Sequence, residues 1–214
     1  MTQRPILIGQ YDSPFVRRVA ITMRLYEFDF EHRNWSVFRD ADEIAAFNPL
    51  RRAPTLVRPD GEVLVETNLI IDALDDEADD DRVLLPRRGA VRRAGLRVAA
   101  LAMGMADKGV ALVYENVARD RGEQSDRWRR RCRAQVSDTL QLLERERAAR
   151  DATWWLGETW THADIAVAVA MRFIGQAAPE VVEALPLPAL TDHAARCQAT
   201  AAFAELDAPL NFPT

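Results

Sequence analysis

The chain has 214 residues, 48% of them hydrophobic and 29% charged, with 9 Gly and 11 Pro. This is an ordinary globular composition, long enough for one large or two small domains and neither disordered nor fibrous. The formal net charge of −5 argues against nucleic acid as the main partner, and no apolar run approaches the roughly 18 residues of a membrane helix.

Residues 1–9 carry no charged segment leading into a long apolar stretch, so no signal peptide is read and a cytoplasmic location is expected. Pro5-Ile6-Leu7-Ile8-Gly9 is a short apolar run closed by Gly and reads as a buried strand. Ser13-Pro14 opens a helix, because Ser caps well and Pro suits the first helical position. Phe15, Val19, Thr22, Met23 and Tyr26 continue it at helical spacing. A less distinct strand is read over 30–37, then a short helix over 40–47 that Asn48-Pro49 ends. Thr55-Leu56-Val57 and Val63-Leu64-Val65 flank Pro59-Asp60-Gly61, a hairpin signature, and another short helix covers 67–74. The order β-α-β-α-β-β-α is an α/β pattern with a terminal hairpin.

Asp75, Asp76, Glu77, Asp79, Asp80 and Asp81 form an acidic run followed by Pro86. Such a block repels itself and is expected to stay solvated. The domain boundary is placed here: a first domain over 1–76, a linker over 77–86 and a second domain over 87–214. Beyond it no strand pattern appears. Helices are read over 87–119, 123–150 and 161–176, the last apolar almost all round and so buried. Shorter ones run from Pro186 and Pro188 through Phe203.

Several features read as structure rather than chemistry. Cys132 and Cys197 form no CxxC and no zinc spacing, and are expected to be reduced, partly buried thiols. His32, His162 and His193 match no metal or catalytic spacing, so no metal is expected. Arg127, Arg129, Arg130, Arg131 and Arg133 lie among Glu123, Asp126 and Asp138, as on a solvated helix face. Thr161 and Asp164 form a T-x-x-D capping box, with Trp160 and Ile165 placed as a hydrophobic staple.

Three segments in the first half carry a resemblance. Tyr11-Asp12-Ser13-Pro14-Phe15-Val16-Arg17-Arg18-Val19 resembles the strand-to-helix turn of serine-type glutathione S-transferases, most like the plant tau class and related bacterial ones. Asn48-Pro49-Leu50-Arg51-Arg52-Ala53-Pro54-Thr55-Leu56 is similar to the segment leading to that family's cis-proline. Glu66-Thr67-Asn68-Leu69-Ile70-Ile71 resembles the Glu-Ser pair that opens its third helix, with Thr in place of the usual Ser. Thr161-His162-Ala163-Asp164-Ile165-Ala166 resembles the capping motif of its sixth helix. In order and spacing these cover essentially the whole chain, which is thereby similar to the cytosolic glutathione S-transferases.

The resemblance implies a thioredoxin-like α/β N-terminal domain followed by an all-α C-terminal domain. It implies a homodimer, glutathione as co-substrate, and a small hydrophobic electrophile as acceptor, in conjugation of the detoxification kind. A glutathione-dependent isomerase, peroxidase or dehalogenase on the same scaffold remains open, as does a non-catalytic binding protein. A dimer would pair Arg88, Arg92 and Arg93 with Glu66, Asp72, Asp75 and Asp76 across a two-fold axis, together with a buried apolar patch.

The same resemblance assigns candidate roles. Ser13 would donate its hydroxyl to the glutathione sulfur, or else would only cap a helix; Tyr11 is the next donor in line. Phe15 lies in the same turn. A cis Ala53-Pro54 bond would turn the Ala53 backbone towards the cysteinyl unit. Thr67, at a helix start suited to anions, would hold the γ-glutamyl carboxylate, with Glu66 on the ammonium. Arg52, or Arg51, would meet the glycyl carboxylate. The acceptor pocket is sought between the domains, at Tyr11 and at Met103, Asp107, Val110 and Tyr114, which recur at helical spacing and could equally be core.

Overall fold

The computed structural model describes residues 4–211. The first half comprises β1 (Ile6–Ile8), α1 (Pro14–Leu25), β2 (Glu31–Arg33), α2 (Ala41–Ala45), β3 (Thr55–Val57), β4 (Val63–Val65) and α3 (Thr67–Glu77). Its four strands form one mixed sheet in the order β2-β1-β3-β4. β1 is parallel to β2, with α1 as the crossover that such a pair requires. β1 is antiparallel to β3, and β3 to β4. The β3–β4 turn closes on Arg58 N–H to Glu62 C=O at 2.8 Å, with Gly61 at φ 91°.

The second half is helical: α4 (Ala90–Val117), α5 (Asp126–Ala148), α6 (His162–Ala177), α7 (Pro179–Glu183), α8 (Pro188–Gln198) and α9 (Ala201–Ala204). Among the described residues its only strand-like feature is the isolated bridge Trp154–Gly157. This is the thioredoxin-like layer followed by an all-α remainder that the resemblance implies. α6 is the centre of it. Every residue from 162 to 171 is buried, and the helix packs on α4, α8 and α1. Gly109 lets α4 approach, since a Cβ there would lie 2.5 Å from Ile174 Cδ1. Among the described residues no helix is long and apolar enough to cross a membrane.

Three expectations need correction. The strand read over 30–37 is confined to Glu31–Arg33. Beyond it the Ser36 hydroxyl accepts from the Phe38 and Arg39 N–H groups, at 3.3 and 3.4 Å, and turns the chain out of the sheet. The helix read over 67–74 continues to Glu77, into the acidic run. Its inner face is Thr67, Ile70, Ile71 and Leu74, so the same periodicity carries Asp75 inward, and Asp75 is buried rather than solvated. Of the charges assigned to a dimer axis, Arg92 and the acids have partners within the chain, whereas Arg88 and Arg93 form no ion pair among the described residues. Arg92 pairs with Asp72 at 3.1 Å and Asp75 at 3.2 Å, and Arg87 sits 3.8 Å from Asp76.

Both cysteines are unpaired and fully buried, and burial raises both thiols above their ordinary pKa.

Asp164 holds α6 in place. Its Oδ2 accepts from the Thr161 N–H at 2.8 Å and the Thr161 hydroxyl at 2.6 Å. Its Oδ1 accepts from the Trp155 N–H at 2.7 Å, which ties down the loop before the helix. The capping box is therefore complete, and its carboxylate is fully buried. Removing the carboxylate leaves two buried N–H groups without partners, each at a cost of about 1–3 kcal/mol. Asp164→Ala is therefore expected to cost about 3 kcal/mol, against about 1 kcal/mol for an exposed cap. Urea unfolding of the variant and parent measures the difference. A loss as small as a surface cap's would mean that these donors find other partners.

Candidate active site

Past β1 the chain must turn into α1 while the segment before β3 passes close by. Gly9 makes both possible. Its φ is +129°, and a Cβ there would stand 2.6 Å from Ala53 Cβ and 2.6 Å from Val16 Cγ2. On the other side, buried Asn48 pins the loop. Its Nδ2 donates to the Arg52 carbonyl and to Thr55 Oγ1, both at 3.0 Å, and its Oδ1 accepts from the Leu50 N–H at 3.0 Å. The Ala53–Pro54 bond is cis. Ala53 is thereby set against the turn that carries Ser13.

Ser13 is the N-cap of α1, in extended conformation, and its Oγ accepts from the Val16 N–H at 3.4 Å. That bond uses an oxygen lone pair and leaves the hydroxyl proton free to donate elsewhere. Capping and donation are compatible.

The start of α3 is different. Glu66 precedes it at φ 68°, a left-handed value unusual for a non-glycine residue, and no side chain caps the helix. The first-turn N–H groups are thus left without helical partners. The Thr67 hydroxyl beside them is buried and has no hydrogen-bond partner. Free N–H groups and the helix dipole together suit an anion.

A cleft between the two halves is lined by Ser13, Phe15, Arg52, Ala53, Val110 and Tyr114. These are six of the candidate residues, drawn from α1, the segment before β3, and α4. Arg52 also reaches Glu66, at 3.6 Å. Arg51 turns away, at φ 52°, to Asp42 at 2.5 Å. Burial raises the Tyr114 phenol pKa, and the Arg52 charge opposes this.

Other candidates stand apart from this cleft. Glu66 and Thr67 do not line it. Tyr11 lines a neighbouring cavity, where its ring stacks on His32 at 3.8 Å. Met103 is packed in the core, and Asp107 pairs with Lys108 at 2.9 Å.

Further lining residues had escaped the sequence reading. Trp35 and Phe38 come from the loop after β2, and Phe38 meets Tyr114 across the cleft with ring centroids 5.0 Å apart. An apolar W-S-V-F stretch was their signal, absorbed into a strand that ends at Arg33. Phe173 comes from α6, and Leu210 and Asn211 from the end of the described chain. The Asn211 N–H donates to Asp12 Oδ2 at 3.1 Å, and the Leu210 N–H to Gln176 Oε1 at 2.6 Å. Burial raises the Asp12 pKa, an effect that the Asn211 N–H opposes. No local pattern announces a contact between residues so far apart.

Residues 7–82 match the family model described as "Glutathione S-transferase, N-terminal domain". A glutathione S-transferase from Methylobacterium radiotolerans JCM 2831, solved with glutathione sulfonate, superposes with a TM-score of 0.89 at 26% identity, over 99% of this chain and 98% of that one. One from Methylobacillus flagellatus KT, solved with GSH bound, gives a TM-score of 0.84 at 26% identity, over 96% of this chain and 100% of that one. The curated Escherichia coli K12 protein YibF, described as an uncharacterized GST-like protein, is 31% identical over 138 residues, 64% of this chain and 67% of that one. The matched N-terminal model, the relative in sequence and the superposed structures agree: the chain belongs to the glutathione S-transferase family.

Proposed function

We propose that the protein transfers the glutathione thiolate to a small, largely apolar electrophile. The observation that carries this reading is the cleft itself, which brings Ser13 and the Ala53 backbone face to face with an apolar wall of Phe15, Val110 and Tyr114. Relatives solved with glutathione or its sulfonate support the choice of peptide.

In this reading glutathione lies along the N-terminal half. The uncapped N–H groups and the Thr67 hydroxyl receive the γ-glutamyl carboxylate, and Glu66 its ammonium. The Ala53 backbone pairs with the cysteinyl unit. Arg52, rather than Arg51, meets the glycyl carboxylate, because Arg52 lines the cleft and Arg51 does not. The sulfur falls at Ser13, whose proton is free, beside the Phe15 N–H at the start of α1.

A free thiol has a pKa near 8.5, and lowering it by about two units takes about 2.7 kcal/mol of preferential stabilisation of the thiolate. One charge-assisted hydrogen bond and a helix terminus supply energies of that order. The thiolate lone pair then forms the C–S bond. The electron pair displaced from the electrophilic carbon leaves with its leaving group, or moves onto the acceptor in an addition.

Ser13→Ala separates donor from cap. As a cap alone it costs about 1 kcal/mol of stability and nothing in chemistry. As a donor, its loss is expected to raise the pKa of bound glutathione towards the free value and to cut turnover by about one to three orders of magnitude. Ultraviolet thiolate absorbance against pH, with turnover on an active electrophile from a panel, measures both. An unchanged titration and rate would leave Ser13 a cap. Tyr11 is then a poor substitute, because its phenol lies in the adjoining cavity.

We also propose a homodimer. The motive is apolar as well as ionic, since the surface concerned also carries Asn68, Asp72 and Arg92. Leu69 on α3 and Leu96 on α4 are exposed and line one surface depression with Ala99 and Ala100. Sedimentation at micromolar protein is expected to give twice 24.1 kDa, and Leu69→Arg to shift it towards the monomer. Parent protein sedimenting as a monomer would reject the dimer.

A further inference from the structure

A buried polar cluster between α1 and α3 takes no part in the chemistry above. Arg18 is 2% exposed. Its Nη1 donates to Asn68 Oδ1 at 3.2 Å, while its Nε has no partner. Asp75 is 4% exposed. Its Oδ1 accepts from the Tyr26 hydroxyl at 2.6 Å and from His162 Nε2 at 2.7 Å, and its Oδ2 from Arg92 Nη1 at 3.2 Å. The Tyr26 oxygen accepts in turn from the Leu84 N–H at 3.1 Å. One carboxylate therefore joins the end of α1, the body of α3, the start of α4 and the first residue of α6.

The protonation states fit this arrangement. Burial lowers the His162 pKa and keeps the ring neutral, so its Nε2–H is the donor. Burial alone would raise the Asp75 pKa, but the His162, Tyr26 and Arg92 hydrogen bonds outweigh it and the carboxylate stays ionised. Burial brings Arg18 down to about 10, which leaves it charged at neutral pH, with Asp75 as the opposing charge.

Stability alone is a weak reason to keep such charges inside. Well-packed apolar replacements for a buried ion pair are often neutral or stabilising. Directional hydrogen bonds of buried polar groups do, in some proteins, fix register. Here the register that matters is that of two helix starts. Arg18 lies on the helix that Ser13 caps, and Asn68 directly follows Thr67. Their bond ties the helix start assigned to the sulfur to the helix start assigned to the γ-glutamyl carboxylate. Asp75 holds the same α3 farther along.

We propose that Arg18 and Asp75, the former through Asn68, are positioning residues for glutathione: they set the spacing and axial register between the starts of α1 and α3, so that one peptide meets both. The inference rests on the glutathione reading above.

The test uses the full-length protein, with glutathione itself as the probe, by calorimetry, alongside the thermal midpoint of the unliganded protein. Asn68→Ala cuts the tie and leaves both buried charges in place, so it is the primary variant. It is expected to weaken glutathione binding about tenfold, the size of one charge-assisted hydrogen bond, and also to lower the midpoint, because buried Arg18 loses its Asn68 acceptor. Asn68→Asp keeps an acceptor for Arg18 and is expected to restore affinity. Asp75→Asn is expected to weaken binding as well.

A lowered midpoint with glutathione affinity within about twofold of the parent would make the cluster purely structural and overturn the proposal. Failure of Asn68→Asp to restore affinity would overturn the route through Arg18. Parent protein that holds no glutathione would overturn the transferase reading and this one together. Parent binding with an unaltered Asn68→Ala would overturn only this one.

Discussion

An α-helix begins with N–H groups that have no partner within it, and this fold meets that constraint in three different ways. At α6 the chain supplies everything: Thr161 and Asp164 cap the helix completely, beneath a buried loop. At α1 it supplies part: Ser13 takes the Val16 N–H and keeps its own proton free. At α3 it supplies no side chain at all. Of these three starts, that of α6 is the most fully capped by its own chain and that of α3 the least. A helix start satisfied by its own chain anchors a fold, whereas one left open offers its field to something else.

The two halves are held by polar as well as apolar packing. α6 packs on α1 and on α4, the latter brought close by Gly109. At its first residue, His162 reaches across to Asp75. Arg17, also buried, donates to the Phe203 carbonyl and to Gln198 Oε1, and so fastens α1 to the last helices. Neighbouring arginines on one helix thus face opposite ways, Arg18 into the α3 contact and Arg17 into the helical half. The turn that carries Ser13 stands at the head of a helix gripped from both sides, a geometry suited to holding a small hydroxyl in a fixed direction.

Much of this was legible in the residues, because local chemistry carried it. Ser13-Pro14, the hairpin around Asp60-Gly61 and the T-x-x-D box each state a turn or a cap within a few positions, and each lies where it was read. The apolar periodicity of α4 and α6 needed no tertiary information. The misses share another cause. Asp75 was read by its charge when its position on the α3 face decided its fate. The burial of Arg17 and Arg18 had no sequence signal, because a buried arginine is recognisable only from its partners, here Gln198, Phe203 and Asn68. In the cleft, Val110 and Tyr114 were found by helical spacing, but spacing alone could not separate them from Met103, which the same face turns into the core. Leu210 and Asn211 meet the Ser13 turn only because the whole chain has folded.

The two cysteines are mute as catalysts, yet their burial has a chemical consequence. An acceptor reactive enough to be attacked by one thiolate is a hazard to every other thiolate it meets. Alkylation requires the ionised sulfur and a path to it. Cys132 and Cys197 offer neither, since both are fully enclosed and both thiols are pushed towards the neutral form. On the transferase reading proposed above, a thiol-reactive acceptor would therefore meet no exposed cysteine sulfur on this chain.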